Sequence, residues 1–219
     1  MQKQQGLTSA YGGRTALFNI FAGLLLVFCI LSNASAAPAT RIVAIGDSLT
    51  AGYGLPPGVD FVTQLQAALR KENFDVKIEN AGVSGDTSTG GLQRLDWALG
   101  DGADLVILEL GANDALRGIS PGVTRKNLDE ILGVLKRRNI PVLLTGMMAP
   151  PNMGKDYASE FNSIYPDLAA KYDVELYPFF LKDVAAIPSL NQSDAIHPNA
   201  EGVKVIVKNM LPYVARFLK

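Results

Sequence analysis

Apolar and polar positions alternate in blocks between residues 41 and 218. Five short runs, "RIVAIG" (41–46), "DVKIENA" (75–81), "ADLVILEL" (103–110), "IPVLLTGMM" (140–148) and "DVELYP" (173–178), are rich in apolar and β-branched residues. Runs of this kind read as strands buried on both faces. Longer amphipathic segments lie between them. In "DFVTQLQAALRKEN" (60–73), Phe61, Leu65, Ala68 and Leu69 fall on one helical face. Arg70 and Lys71 close that segment, where cations suit the helix dipole. "RKNLDEILGVLKRRN" (125–139) and "EFNSIYPDLAAKYD" (160–173) repeat the pattern, and a last helix is predicted from about Ala200 to Phe217. Alternation of this sort predicts a three-layer α/β/α sandwich around a parallel sheet, with right-handed crossovers. The 219 residues, 48% of them hydrophobic, allow one domain with a full core. No repeat or linker divides residues 38–219, so a single domain is expected there.

Residues 1–37 follow a different pattern. Lys3 and Arg14 are their only charges, ahead of the apolar run "ALFNIFAGLLLVFCIL" and then Ala34-Ser35-Ala36. A basic start, an apolar stretch and an A-x-A site describe a secretory signal peptide cut after Ala36 or Ala37. The run is short for a retained bilayer anchor. A lipoprotein site at Cys29 fits less well, because bulky Phe28 precedes it and apolar residues follow. Cys29 is the sole cysteine, so the mature chain has no disulfide and no thiolate metal site. Without Lys3 and Arg14, the 20 Lys+Arg become 18 against 21 Asp+Glu, a charge of -3. That balance gives no reason to expect a polyanionic partner, and no basic–aromatic stretch suggests nucleic acid. The expected location is the periplasm or the medium.

In open α/β sheets, ligands gather beyond the carboxyl ends of the strands. Each predicted strand runs into a polar, glycine-containing loop there: "GDSLTAGYG", "AGVSGDTSTGG", "LGANDALRG", "MMAPPNMG" and, past the fifth, "NQSDAIHPNAEG". His197 is the only histidine, three residues after Asp194 and just before Pro198, where a helix is expected to begin. An Asp and a His so spaced can hydrogen-bond, leaving the far ring nitrogen for a nucleophile. Ser48 needs such a base, because a free serine hydroxyl is a poor nucleophile. Ser48 would equally suit a helix start, and His197 a loop beside an Asp cap. Gly85 can present a bare backbone N–H, and Asn113 a side-chain amide, to an oxyanion that gains roughly 3 kcal/mol from each donor. A turn at Gly85 and a cap at Asn113 are the plainer alternatives.

These blocks resemble the SGNH (GDSL-type) hydrolases. "GDSLTAGYG" matches the family's first block with Ser48 as nucleophile, "VSGDTS" the second with Gly85, and "LGAND" the third with Asn113. "SDAIHPN" matches the last, with Asp194 as orienting acid and His197 as general base. The resemblance spans residues 40–218 in order, strongest toward the thioesterase I / lysophospholipase L1 / arylesterase branch. It implies a flavodoxin-like sheet of five parallel strands in the order 2-1-3-4-5. It also implies a Ser48–His197–Asp194 triad, with an oxyanion hole of the Ser48 and Gly85 N–H groups and the Asn113 amide. Substrates would be acyl esters and thioesters, lysophospholipids among them, and no metal or cofactor is implied. By the same analogy "MMAPPNMGKDYASEF" forms a mobile wall of the acyl site. The mature protein is expected to be a monomer without a membrane anchor.

Asp47 is expected to hydrogen-bond the loop around Ser48, Asp114 to brace Asn113, and Arg117 to pair with either acid or meet an anionic substrate. "GDSLT" is not the G-x-S-x-G elbow of α/β-hydrolases, and no phosphate-binding loop is present. A carbohydrate O-acetyl esterase on the same fold is the nearest rival. A flavodoxin-like anion-binding protein is another, though it leaves the Asp194–His197 spacing without a purpose. A metal hydrolase would have only one His and oxygen ligands to draw on.

Overall fold

A computed structural model describes residues 39–219, so the signal peptide expected at 1–37 lies outside the described residues. Among the described residues, five strands form one sheet in the order β2-β1-β3-β4-β5. They are β1 (Thr40–Gly46), β2 (Val76–Gly82), β3 (Leu105–Leu108), β4 (Val142–Thr145) and β5 (Glu175–Tyr177). All four pairings are parallel, with Ile42 opposite Ile78 on one side and Leu105 on the other. β3 and β4 are buried at every position, as strands covered on both faces must be. The ladders are shorter than the apolar runs: Leu110 and Met147 are buried without pairing, because the chain has already turned toward the rim.

The helices are α1 (Ser48–Ala51), α2 (Phe61–Lys71), α3 (Ser88–Gln93), α4 (Leu95–Leu99), α5 (Ala112–Leu116), α6 (Pro121–Arg137), α7 (Lys155–Tyr172) and α8 (Ala200–Ala215). α2 packs on α8, while α6 packs on α3 and α7, giving the two outer layers of the sandwich. In α2, Asp60 caps the start by accepting from Thr63 N–H, and Phe61, Val62, Leu65 and Leu69 are buried, with Ala68 only half-buried. α6 begins four residues before the predicted segment, at Pro121, whose fixed φ suits a first helical position. α7 starts at Lys155 and runs through Pro166, losing one internal hydrogen bond. Burial of Ile164, Tyr165, Leu168 and Ala169 on either side of that proline offsets the loss.

β1 sits between β2 and β3, so the chain departs to one side of it and returns on the other. Such a reversal opens a crevice at the carboxyl ends of β1 and β3. The loops bearing Ser48 and Asn113 leave the sheet there.

Candidate active site

Ser48 stands at a helix start, as its sequence context allowed, without serving as the cap. It is the first residue of α1, but the capping is done by Asp47, whose Oδ1 accepts from Leu49 N–H at 3.0 Å. The Ser48 hydroxyl is therefore free for other work, and Oγ lies 2.9 Å from His197 Nε2. On the far side of the ring, His197 Nδ1 is 2.7 Å from Asp194 Oδ2. The sequence separation is 149 residues between Ser48 and His197 and 3 between Asp194 and His197, so only the fold completes the series.

The loop carrying Asp194 and His197 is fixed by its own backbone. Asp194 Oδ1 accepts from the N–H groups of Ile196 and His197, each at 3.0 Å. These two bonds and the imidazole hold the Asp194 carboxyl down at about 2, with the His197 N–H the largest influence. Gln192 ties this loop to the serine loop: its Nε2 donates to Tyr53 O at 2.7 Å and to Pro198 O at 3.0 Å. The Tyr53 ring lies against the imidazole with centroids 4.7 Å apart. Asn199 caps α8 through Glu201 and Gly202 N–H, so the helix starts just after the Asp-x-x-His turn.

Three groups on the segments after β1, β2 and β3 keep a hydrogen to donate. Among the described residues, the N–H groups of Ser48 and Gly85 donate to no protein acceptor; for Ser48 this follows from its place at a helix start. Gly85 has φ +82°, which favours glycine, whereas a Cβ there would meet only Arg117 Nη2 at 3.5 Å. Conformation rather than space requires glycine at this position. Asn113 Nδ2 donates one hydrogen to Asp47 Oδ2 at 3.1 Å and retains a second.

Asp47 hydrogen-bonds the loop around Ser48 through Leu49 N–H, as expected, while Asp114 and Arg117 differ from expectation. Asp47, not Asp114, braces Asn113. Asp114 is fully buried and instead joins three helices: Oδ2 accepts from Ser88 N–H at 2.8 Å, and Oδ1 from Ser88 Oγ at 2.5 Å and Thr124 Oγ1 at 3.0 Å. The Asn113 side chain points to the crevice, while its neighbour faces the helical layer, so a direct brace between adjacent residues does not form. Among the described residues Arg117 pairs with neither acid; its Nη2 donates to the Gly85 carbonyl at 2.7 Å.

Two supporting residues escaped the sequence reading. Gln192 gave no signal. Glu109 did, as the sole charge within "LVILEL". It is 1% exposed and takes hydrogen bonds from Asp47 N–H and Thr50 Oγ1. Burial first, then the charge of Asp47, pushes its carboxyl well up. Burial likewise raises Asp47 to about 6, against the pull of Leu49 N–H and Asn113.

A hydroxyl, an imidazole and a carboxylate in hydrogen-bonded series beside free N–H donors form a site of serine-hydrolase type. The chain belongs to the GDSL-like lipase/acylhydrolase family, whose pattern matches residues 44–205. An arylesterase of Vibrio mimicus is 37% identical over 196 residues, covering 89% of this chain and 93% of that protein. Thioesterase 1/protease 1/lysophospholipase L1 of Escherichia coli is 38% identical over 185 residues, covering 84% and 88% respectively. The crystal structure of AlinE4, an SGNH-hydrolase family esterase, is 50% identical and superposes with a TM-score of 0.71 over 84% of this chain and all of that one.

Proposed function

We propose that the protein is an exported esterase and thioesterase whose nucleophile is Ser48, with His197 as general base and Asp194 as the acid that orients it. The unbroken series from Ser48 Oγ to His197 Nε2 (2.9 Å) and from Nδ1 to Asp194 Oδ2 (2.7 Å) carries this reading. His197 Nε2 takes the Ser48 proton as Oγ attacks the acyl carbonyl. The oxyanion is held by the Ser48 and Gly85 N–H groups and the remaining Asn113 hydrogen. His197 then gives its proton to the leaving alcohol or thiol, and a water, deprotonated by the same nitrogen, releases the acid from the acyl-enzyme.

Acyl chains are the favoured substrate class. The segments that follow the strands carry exposed Tyr53, Leu116, Met148 and Ile196, apolar groups against which a chain would lose its water shell. The relatives named arylesterase and thioesterase 1/lysophospholipase L1 support aryl esters, acyl thioesters and lysophospholipids as candidates. The export reading rests on the leader pattern of residues 1–37.

The test is hydrolysis of p-nitrophenyl esters from acetate to palmitate, of an acyl-CoA and of a lysophospholipid by the chain from residue 38. Turnover of medium or long chains supports the reading. Turnover of acetylated glycans alone would favour the O-acetyl esterase, and none on any ester or thioester would refute the proposal.

A further inference from the structure

The carboxyl pair beneath the serine loop has a hydrogen-bond pattern that tells its two members apart. Asp47 is 0% exposed and uses both oxygens as acceptors, Oδ1 for Leu49 N–H at 3.0 Å and Oδ2 for Asn113 Nδ2 at 3.1 Å. Glu109 Oε2 accepts twice, from Asp47 N–H at 3.2 Å and Thr50 Oγ1 at 2.9 Å. Glu109 Oε1 is buried and takes no bond from a donor. The two carboxyls also lie within hydrogen-bonding reach of one another. Two ionised carboxylates are not tolerated side by side in a buried site, so one proton belongs to the pair. One oxygen accepting twice and the other accepting nothing is the pattern of a neutral carboxylic acid with its proton on Oε1.

We propose that Glu109 is a positioning residue held as a neutral acid, donating from Oε1 to Asp47 so that Asp47 stays anionic and aims both the serine loop and the Asn113 amide. The proposal rests on the reading in which Ser48 attacks and Asn113 holds the oxyanion. Other charged or titratable groups face the pair from each neighbouring element. His197 comes from the loop before α8 and Tyr165 from α7, its hydroxyl on Leu110 O, while Asp114 of α5 is spent on Ser88 and Thr124. Arg94, between α3 and α4, reaches Gly46 O at 2.8 Å but is already paired with Asp86. The fixed cation nearby is thus committed, and a second negative charge on the pair would go uncompensated.

The experiment compares Glu109→Gln, Glu109→Ala and Ser48→Ala with the parent. kcat and KM are measured from neutral to strongly alkaline pH, with infrared spectra of the carboxylic-acid carbonyl stretch and thermal melts. Glutamine keeps an acceptor for Asp47 N–H and Thr50 and a donor toward Asp47. It is expected to rescue what alanine loses, about 100-fold in kcat with little change in KM, since misplacement rather than lost binding is at issue. The parent should show an alkaline decline in kcat that Glu109→Gln lacks, and a carboxylic-acid band at neutral pH that the glutamine variant has lost. A glutamine variant as impaired as alanine, or one sharing the parent's alkaline decline and band, overturns the proposal. If alanine fails to fold, the glutamine pH profile and spectrum still decide. Activity surviving in Ser48→Ala would instead overturn the nucleophile assignment, whatever Glu109 does.

Discussion

Replacing Asp194 by Asn separates the two tasks of its carboxylate. Oδ1 holds the loop through the N–H groups of Ile196 and His197 at 3.0 Å each, and Oδ2 meets His197 Nδ1 at 2.7 Å. An amide oxygen can still accept both backbone bonds, so the loop keeps its shape. The amide nitrogen then faces Nδ1, which must become an acceptor, and the ring proton moves to Nε2. That nitrogen, 2.9 Å from Ser48 Oγ, can no longer take the serine proton. A wrong tautomer of this kind costs about 10⁴-fold in kcat, which is about 5.5 kcal/mol in the barrier. The effect on folding is far smaller. The Asp194 side chain is 37% exposed, so exchanging its charge for a neutral acceptor is worth under about 1 kcal/mol. The assay is p-nitrophenyl butyrate hydrolysis alongside thermal unfolding. A variant that melts with the parent but has lost its rate is expected. An Asn variant within about tenfold of the parent rate, a barrier difference of only ~1.4 kcal/mol, would refute the orienting role.

Four further outcomes follow from the geometry. Asn113→Ala should lower kcat by about 10²- to 10³-fold with KM nearly unchanged, because the amide acts on charge that develops after binding; steady-state kinetics with a short-chain ester checks this. Gln192→Ala removes the bonds to Tyr53 O and Pro198 O that tie the histidine loop to the serine loop. It should cost about 10-fold in kcat, less than loss of a triad member, through looser alignment of the two loops. Gly146→Ala places a Cβ 2.1 Å from the Pro178 carbonyl oxygen, a backbone atom, and should lower stability by about 1–3 kcal/mol in chemical denaturation while sparing the activity of the folded fraction. Because the Asp194 carboxyl is lower in the folded than in the unfolded chain, its contribution to stability is present above about pH 4 and is lost as pH falls toward 2; in acid titration the stability gap between parent and Asp194→Asn should stay constant above about pH 4 and close between about pH 4 and 2.

The inner strands were legible as apolar runs, the edge strands β2 and β5 less so because polar residues interrupt them at positions that are not fully buried. The candidate site was legible because each of its four blocks is local and chemically distinctive. What the pattern could not carry was interaction between distant segments. α3 lies in glycine-containing "STGGLQ" and forms because Thr87 caps it while Asp114, twenty-six positions along, takes the Ser88 N–H and hydroxyl. The start of α7 is set where Gly154 ends a 3₁₀ turn at Pro151–Met153, ahead of the apolar face that periodicity detects. Asp47 and Asp114 both adjoin site residues, and their neighbours alone do not distinguish a residue aimed at the crevice from one aimed at a helix. Glu109 stands apart: one acid inside a buried strand run is a visible anomaly, and its purpose emerges only when the serine loop folds over it.

The most direct test of the central claim is to treat the folded protein with a fluorophosphonate, which reacts with activated serines, and map the adduct by mass spectrometry. A single adduct on Ser48 is expected, absent in Ser48→Ala and strongly slowed in His197→Ala, with hydrolysis lost in step with labelling. An adduct on another residue, or ester hydrolysis that continues after Ser48 is fully labelled, would contradict the assignment of Ser48 as the nucleophile.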